Sequence, residues 1–165
     1  MAAALLVALV GGAAVAAETE VGTTRRLGIG LAAGFPTAAT LKLHVRPEIG
    51  LSLHLGPTLV SSGLHVRIQA EHLPARLRRW SWGELRLGWQ GGVAVELLFG
   101  AAAGRTSARP AVLVGVGAEL RLVPAPVGLF AELSPMLFPA DVAPPKPTGF
   151  QPFGLTLVVG ARWTL

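Results

Sequence analysis

Residues 41–56 read LKLHVRPEIGLSLHLG, and the fold turns on which face of this segment meets the surroundings. Leu41, Leu43 and Val45 alternate with Lys42, His44 and Arg46. After Pro47-Glu48, Ile49, Leu51, Leu53 and Leu55 alternate with Gly50, Ser52, His54 and Gly56. Side chains on a strand point to opposite faces with period 2, so the spacing predicts two β-strands joined at a tight turn. Each strand has one apolar face and one polar or small face. A soluble barrel turns the apolar face inward, whereas a membrane barrel turns it outward.

Composition favours the second arrangement. The 165 residues suffice for one domain. They are 52% hydrophobic and only 14% charged. A soluble domain carries roughly 25% charged residues, so this chain is short of material for a water-facing surface. After the N-terminus no stretch approaches the ~18 unbroken apolar residues of a membrane helix. High hydrophobicity without such a run is what alternating membrane strands produce. The 21 Gly and 13 Pro speak for strands and turns. Cys is absent, which excludes thiol catalysis and Cys-ligated zinc. The net charge of +5 raises the question of nucleic acid. The cations are scattered singly along strands, with no stripe and no interleaved stacking aromatics, so no nucleic-acid partner is expected.

Residues 1–17, MAAALLVALVGGAAVAA, are apolar and end in small residues, and Ala14-Val15-Ala16 and Val15-Ala16-Ala17 both fit the small-x-small rule. A cleavable signal peptide over 1–17 and export are expected, although no Lys or Arg precedes the apolar run. The remainder, 25–165, reads as one β-barrel domain.

Eight strands are predicted. They cover 27–35, the two strands of the opening segment, 64–71, 84–95 with a slip at Gly91-Gly92 suggesting a β-bulge, 112–122, 127–133 and 153–165. The links on one side are 46–48, 72–83 and 123–126. Those on the other are 36–40, 57–63, 96–111 and 134–152. Apart from 72–83, the first (near) side has short turns and the second (far) side longer loops.

The polar face carries many glycines, which suit a crowded barrel interior better than an exposed strand. Its charges come near to balance. Lys42, Arg46, Arg67, Arg86, Arg121 and Arg162 are expected to meet Glu71, Glu84, Glu119 and Glu132 in an interior network. Aromatics sort by end, with Phe35, Phe99, Phe138, Phe150 and Phe153 far and Trp80, Trp82 and Trp163 near, while Phe130 and Trp89 break the rule. Two aromatic bands at opposite strand ends match the girdles of a membrane barrel.

An apolar leader, eight alternating strands and a last strand ending VVGARWTL resemble the small eight-stranded outer-membrane barrels of the OmpA/OmpX type. ELSPMLFP, residues 132–139, is similar to a stretch of uncharacterised small barrel proteins of bacterial outer membranes. The resemblance implies an all-β, eight-stranded antiparallel up-and-down transmembrane barrel in the outer membrane of a Gram-negative bacterium. It also implies handling by the barrel-assembly machinery, which reads a C-terminal strand with a terminal aromatic. Here the chain ends in Leu165, with Trp163 two residues earlier.

Candidate chemistry is sparse. His44, His54, His65 and His72 lack tight ligand spacing, and interior hydrogen bonding is the expected role. Ser62 and His65, beside Ser61, have the types of a nucleophile and base of a lipid-modifying acyl hydrolase but no third member, and a Ser-Ser-Gly turn followed by an interior His is the expected reading. PARLRRW, residues 74–80, offers Arg76, Arg78 and Arg79 to anionic head groups or to solvent. PADVAPPKPTGFQP, residues 139–152, is a Pro-rich loop suited to an extended partner. GVG at 115–117 precedes no helix and gives no nucleotide site. The reading is therefore a non-enzymatic, cofactor-free monomeric barrel, with outer-membrane lipid around it and partners at loops 96–111 and 134–152. A soluble lipocalin-like barrel holding an apolar ligand is the competing architecture.

Overall fold

The computed structural model describes residue 21 and residues 24–58, 62–99, 107–123, 125–139 and 153–165. The expected leader, 1–17, lies outside the described residues. Eight strands form: β1 Leu27–Phe35, β2 Ala38–Arg46, β3 Ile49–Pro57, β4 Gly63–Trp80, β5 Gly83–Leu98, β6 Ser107–Leu122, β7 Val127–Leu137 and β8 Phe153–Thr164. Each pairs antiparallel with its sequence neighbours, and β1 also pairs with β8, so the sheet closes into an up-and-down barrel. Closure leaves no free sheet edge along the seam. It is completed by reciprocal backbone bonds between Leu27 and Leu165.

The barrel is polar inside and apolar outside. Lys42, His44, Ser52, His54, Arg67 and Gln69 are buried, although their strands are nine to eighteen residues long and flanked by leucine. Leu31 is 71% exposed, Phe153 74% and Val114 62%. In the opening segment Leu41, Leu43, Val45, Leu51 and Leu55 are exposed, while Lys42, His44, Ser52 and His54 point into the barrel. A soluble barrel with an apolar interior is therefore not what this chain forms. The Leu/Val face that would have lined a lipocalin cavity is the outer surface.

Interior glycines give the long side chains room. A Cβ on Gly50 would lie 2.7 Å from Lys42 Cε, and one on Gly117 would lie 3.2 Å from Gln90 Oε1.

Four expectations are corrected. First, residues 72–83 are not a loop, because β4 continues to Trp80 and turns at 81–82. Pro74, which reads as a strand breaker, falls at a register shift between His72 and Ala75, where a bulge tolerates the missing N–H. All near-side turns are consequently short. Second, no bulge occurs at Gly91-Gly92. The β4–β5 and β5–β6 registers run through both residues unbroken, so Ala94 and Glu96 stay on the inward face with Glu84 and Arg86.

Third, the far-side loops are shorter than 96–111 and 134–152, since β5 runs to Leu98, β6 begins at Ser107 and β7 reaches Leu137. Pro110 and Pro135 both lie in strands. The β6–β7 ladder skips from Val116↔Leu133 to Leu113↔Met136 around Pro135, which has no N–H to donate. Fourth, the second strand begins at Ala38 rather than Leu41, opposite Ala32 of β1.

Candidate functional site: the barrel interior

Alternation alone puts Glu, Gln, Arg and His of seven strands, β2 to β8, on the inward face, and closure brings them within bonding distance of strands far away in sequence. At the centre, Lys42 Nζ of β2 donates to Glu71 Oε2 of β4 at 2.6 Å and to Glu119 Oε2 of β6 at 2.8 Å. Ser52 of β3 donates to Glu71 Oε1, and Arg121 Nη2 donates to Glu119 Oε2 at 3.4 Å. One level towards the far end, Glu132 of β7 accepts from Arg67 Nη2 at 2.6 Å, Arg162 Nη2 at 3.1 Å and Gln69 Nε2 at 3.1 Å. Gln69 also donates to Gln90, which donates to Ser134 Oγ at 2.7 Å. The Arg162 guanidinium lies 3.7 Å from the centre of the Phe130 ring, inside the barrel.

At the near end Glu84 receives Arg86, with Arg76 at 3.2 Å and Arg121 Nη1 at 3.7 Å. Towards the far end the interior turns apolar, with Ala94, Ala111, Leu113, Met136 and Phe138 in one cluster. Beside it, Glu96 lies 3.8 Å from His65 Nδ1 and 3.5 Å from Arg109 Nη1.

Of the residues assigned to the interior from sequence, Lys42, Arg67, Glu71, Arg86, Glu119, Arg121, Glu132 and Arg162 are all buried there. Arg46 is not. A register shift between His44 and Arg46 leaves Val45 without a partner and turns Arg46 to the exposed surface. Gln69, Gln90, Ser134 and Thr156 join the network although charge matching passed over them. Their inward parity was the signal.

Phe35, Phe99, Phe153, Trp82 and Trp163 are exposed on the outside, and Trp80 stacks on Trp82 at 5.1 Å. Phe138 departs from this set. It is buried, because β7 keeps its alternation through Pro135 and Phe138 shares the inward parity of Phe130. Phe150 lies outside the described residues.

Three of the histidines, His44, His54 and His65, are inside, while His72 packs edge-on against Trp89 at 5.6 Å. No group of three histidines comes together as metal ligands among the described residues. A mixed group does form. One ligand atom each from His54, Glu71 and Glu132 lie within 4.8 Å of one another. Arg67 and Arg162 already bring their guanidinium groups to His54 and Glu132, so the positive charge a divalent ion would supply is in place.

Ser61 lies outside the described residues. Ser62 is exposed, and the ring nitrogens of buried His65 have no hydrogen-bond partner, so Ser62 and His65 form no nucleophile–base relay. In PARLRRW, Arg78 lies 5.5 Å over the Trp80 ring. The loop 139–152 lies outside the described residues except for its first, Pro139.

A closed, eight-stranded, all-β up-and-down barrel with a charged interior defines a small barrel of the OmpA type in fold. In keeping with that class, the structure is similar to the N-terminal β-barrel domain of Pseudomonas aeruginosa OprF, with a TM-score of 0.60 over 86% of this chain and 96% of that one. Sequence identity is 12%, so the likeness is one of fold. No protein-family model matches the chain, and no curated protein matches it in sequence.

Proposed function

We propose that the chain is an outer-membrane β-barrel protein whose interior is closed by its own ion pairs and whose role is structural or interactive. The observation that carries this reading is the inversion of faces. Leucine, valine, phenylalanine and tryptophan cover the outside, and lysine, arginine and glutamate fill the inside. Water would penalise the first arrangement by roughly 25 cal/mol for every Å² of apolar surface left exposed, whereas lipid imposes no such cost. The likeness in fold to the OprF β-barrel domain is in keeping with this reading.

In this reading the leader 1–17 directs export, the short turns at 47–48, 81–82 and 123–126 face the periplasm, and the links that remain between the strands on the far side, 99–106 and 138–152, face outward towards a partner. The barrel-assembly machinery inserts the chain as a monomer, using the strand that ends in Trp163 and Leu165. An eight-stranded barrel is just wide enough for its side chains to fill. The chain then passes no solute by general diffusion, needs no cofactor, contacts no nucleic acid and catalyses no reaction.

Fractionation of tagged protein, with electrophoresis of boiled and unboiled samples, tests the proposal. Retention with outer membranes and a faster unboiled band are expected. Recovery from the soluble periplasmic extract would sink it.

A further inference from the structure

Interior charge is matched in the middle of the barrel and at its far end, but not at its near end. Lys42, Arg67 and Arg162 face Glu71, Glu119 and Glu132, three against three. Further out, Arg109 faces Glu96. At the near end four cations, Arg76, Arg79, Arg86 and Arg121, gather around Glu84, the one inward-facing strand carboxylate there among the described residues. Assigning Glu119 to either tier changes nothing in the sum of both, where seven cations stand against four carboxylates.

The register explains how they converge. Glu84 lies directly between Arg79 of β4 and Arg121 of β6. One step inward, Arg86 lies between Arg76 and Glu119. Arg76 and Arg86 are thus like charges directly opposite each other on one face, an arrangement that destabilises a sheet unless something offsets it.

The donors are also unspent. Arg121 is 1% exposed, yet its Nε has no hydrogen-bond partner, and its Nη1 is too far from Glu84 to form one. Arg79 has buried Nε and Nη2 atoms that are likewise unpartnered. Buried charged donors without acceptors are costly, and the cost is removed by an anion that accepts from them. Access exists, because the Arg76 side chain is 49% exposed at the rim.

We propose that the near mouth is a binding site for a phosphate group, seated by Arg79 and Arg121 with Arg76 at the rim. A phosphate carries several acceptor oxygens and up to two negative charges, which suits guanidinium forks and an excess of three cations better than a carboxylate does. The phosphate belongs either to a free phosphate compound or to a lipid head group at the near-side interface. The site itself does not depend on the membrane reading; only the lipid source does.

The test uses the full chain purified in octyl glucoside, a phosphate-free detergent, in phosphate-free buffer. Inorganic phosphate is titrated calorimetrically into wild type and Arg79→Gln. In parallel, the Arg121 Nε signal of 15N-arginine-labelled protein is compared between octyl glucoside and phosphatidylglycerol nanodiscs. Arg79 is half-buried at the mouth, so its variant folds where a substitution of Arg121 risks failure; the fast unboiled band verifies this. Saturable phosphate binding, weakened about tenfold or more in Arg79→Gln, supports the site with a free phosphate ligand. No binding of inorganic phosphate, but a nanodisc-induced Arg121 shift that Arg79→Gln abolishes, supports it with a lipid ligand. Absence of both responses in wild type, or equal responses in Arg79→Gln, would overturn it.

Discussion

Arg67 on β4 donates to Glu132 on β7 at 2.6 Å across the inside of the barrel, although sixty-five residues separate them in the chain. The same carboxylate accepts from Arg162 on β8 at 3.1 Å. This pair of bonds ties three strands from opposite sides of the sheet and converts a closed ladder into a cross-braced one. Its consequences are measurable.

Glu132→Gln removes the charge from which two buried guanidinium groups draw their partner. Stability falls by about 3–5 kcal/mol, the usual cost of leaving one side of a buried ion pair alone. Denaturant unfolding of the refolded barrel measures it. The double variant Arg67→Met/Glu132→Gln loses less than the sum of the two single changes, because the uncompensated charge at 67 is gone as well.

Gly50→Val puts a branched side chain where Lys42 Cε now lies, 2.7 Å from the position of the new Cβ. Lys42 must leave Glu71 and Glu119, and overpacking alone costs about 1–3 kcal/mol. A lower temperature for loss of the compact unboiled band is the expected readout. An unchanged temperature would mean that Lys42 does not hold its two carboxylates together.

Leu31→Arg distinguishes surroundings rather than packing. Leu31 is at the middle of β1, with 71% of its surface outside the barrel. In a bilayer the substitution costs about 2–4 kcal/mol near the midplane. In water it is nearly neutral. Unfolding from liposomes compared with unfolding from detergent decides between the two.

Removal of residues 163–165 deletes the Ile29↔Trp163 and Gly28↔Thr164 rungs together with the Leu27–Leu165 bonds that close the seam. The truncated chain is expected to run at one position, boiled or unboiled. A persistent fast band would show that the remaining six rungs suffice.

Chelation or added zinc leaves the thermal transition of the barrel unchanged, since Arg67 and Arg162 already neutralise the carboxylate beside His54. A rise of several degrees with zinc would show that the ion displaces them.

Much of this was legible in the period-2 rhythm. Alternation marked eight strands, their approximate centres and which residues share a face, because a strand's side chains must alternate. It failed where the rhythm carries a bulge or a proline. Arg46 changes face after one extra residue, and Pro74 passes for a loop until the register shift beside it is seen. Phe138 was misplaced for the related reason that Pro135 obscured the last turn of β7's alternation.

The sequence by itself thus determined the strands, the two faces and the near balance of charge. Only the tertiary structure decided which carboxylate meets which cation, since partners such as Lys42 and Glu119 come together through closure and strand stagger, which no local pattern encodes. It alone revealed that the balance is local rather than uniform, with four arginines about one glutamate at the near end among the described residues. Composition sums charge over the whole chain, but a buried charge is compensated only by what lies within a few ångströms of it.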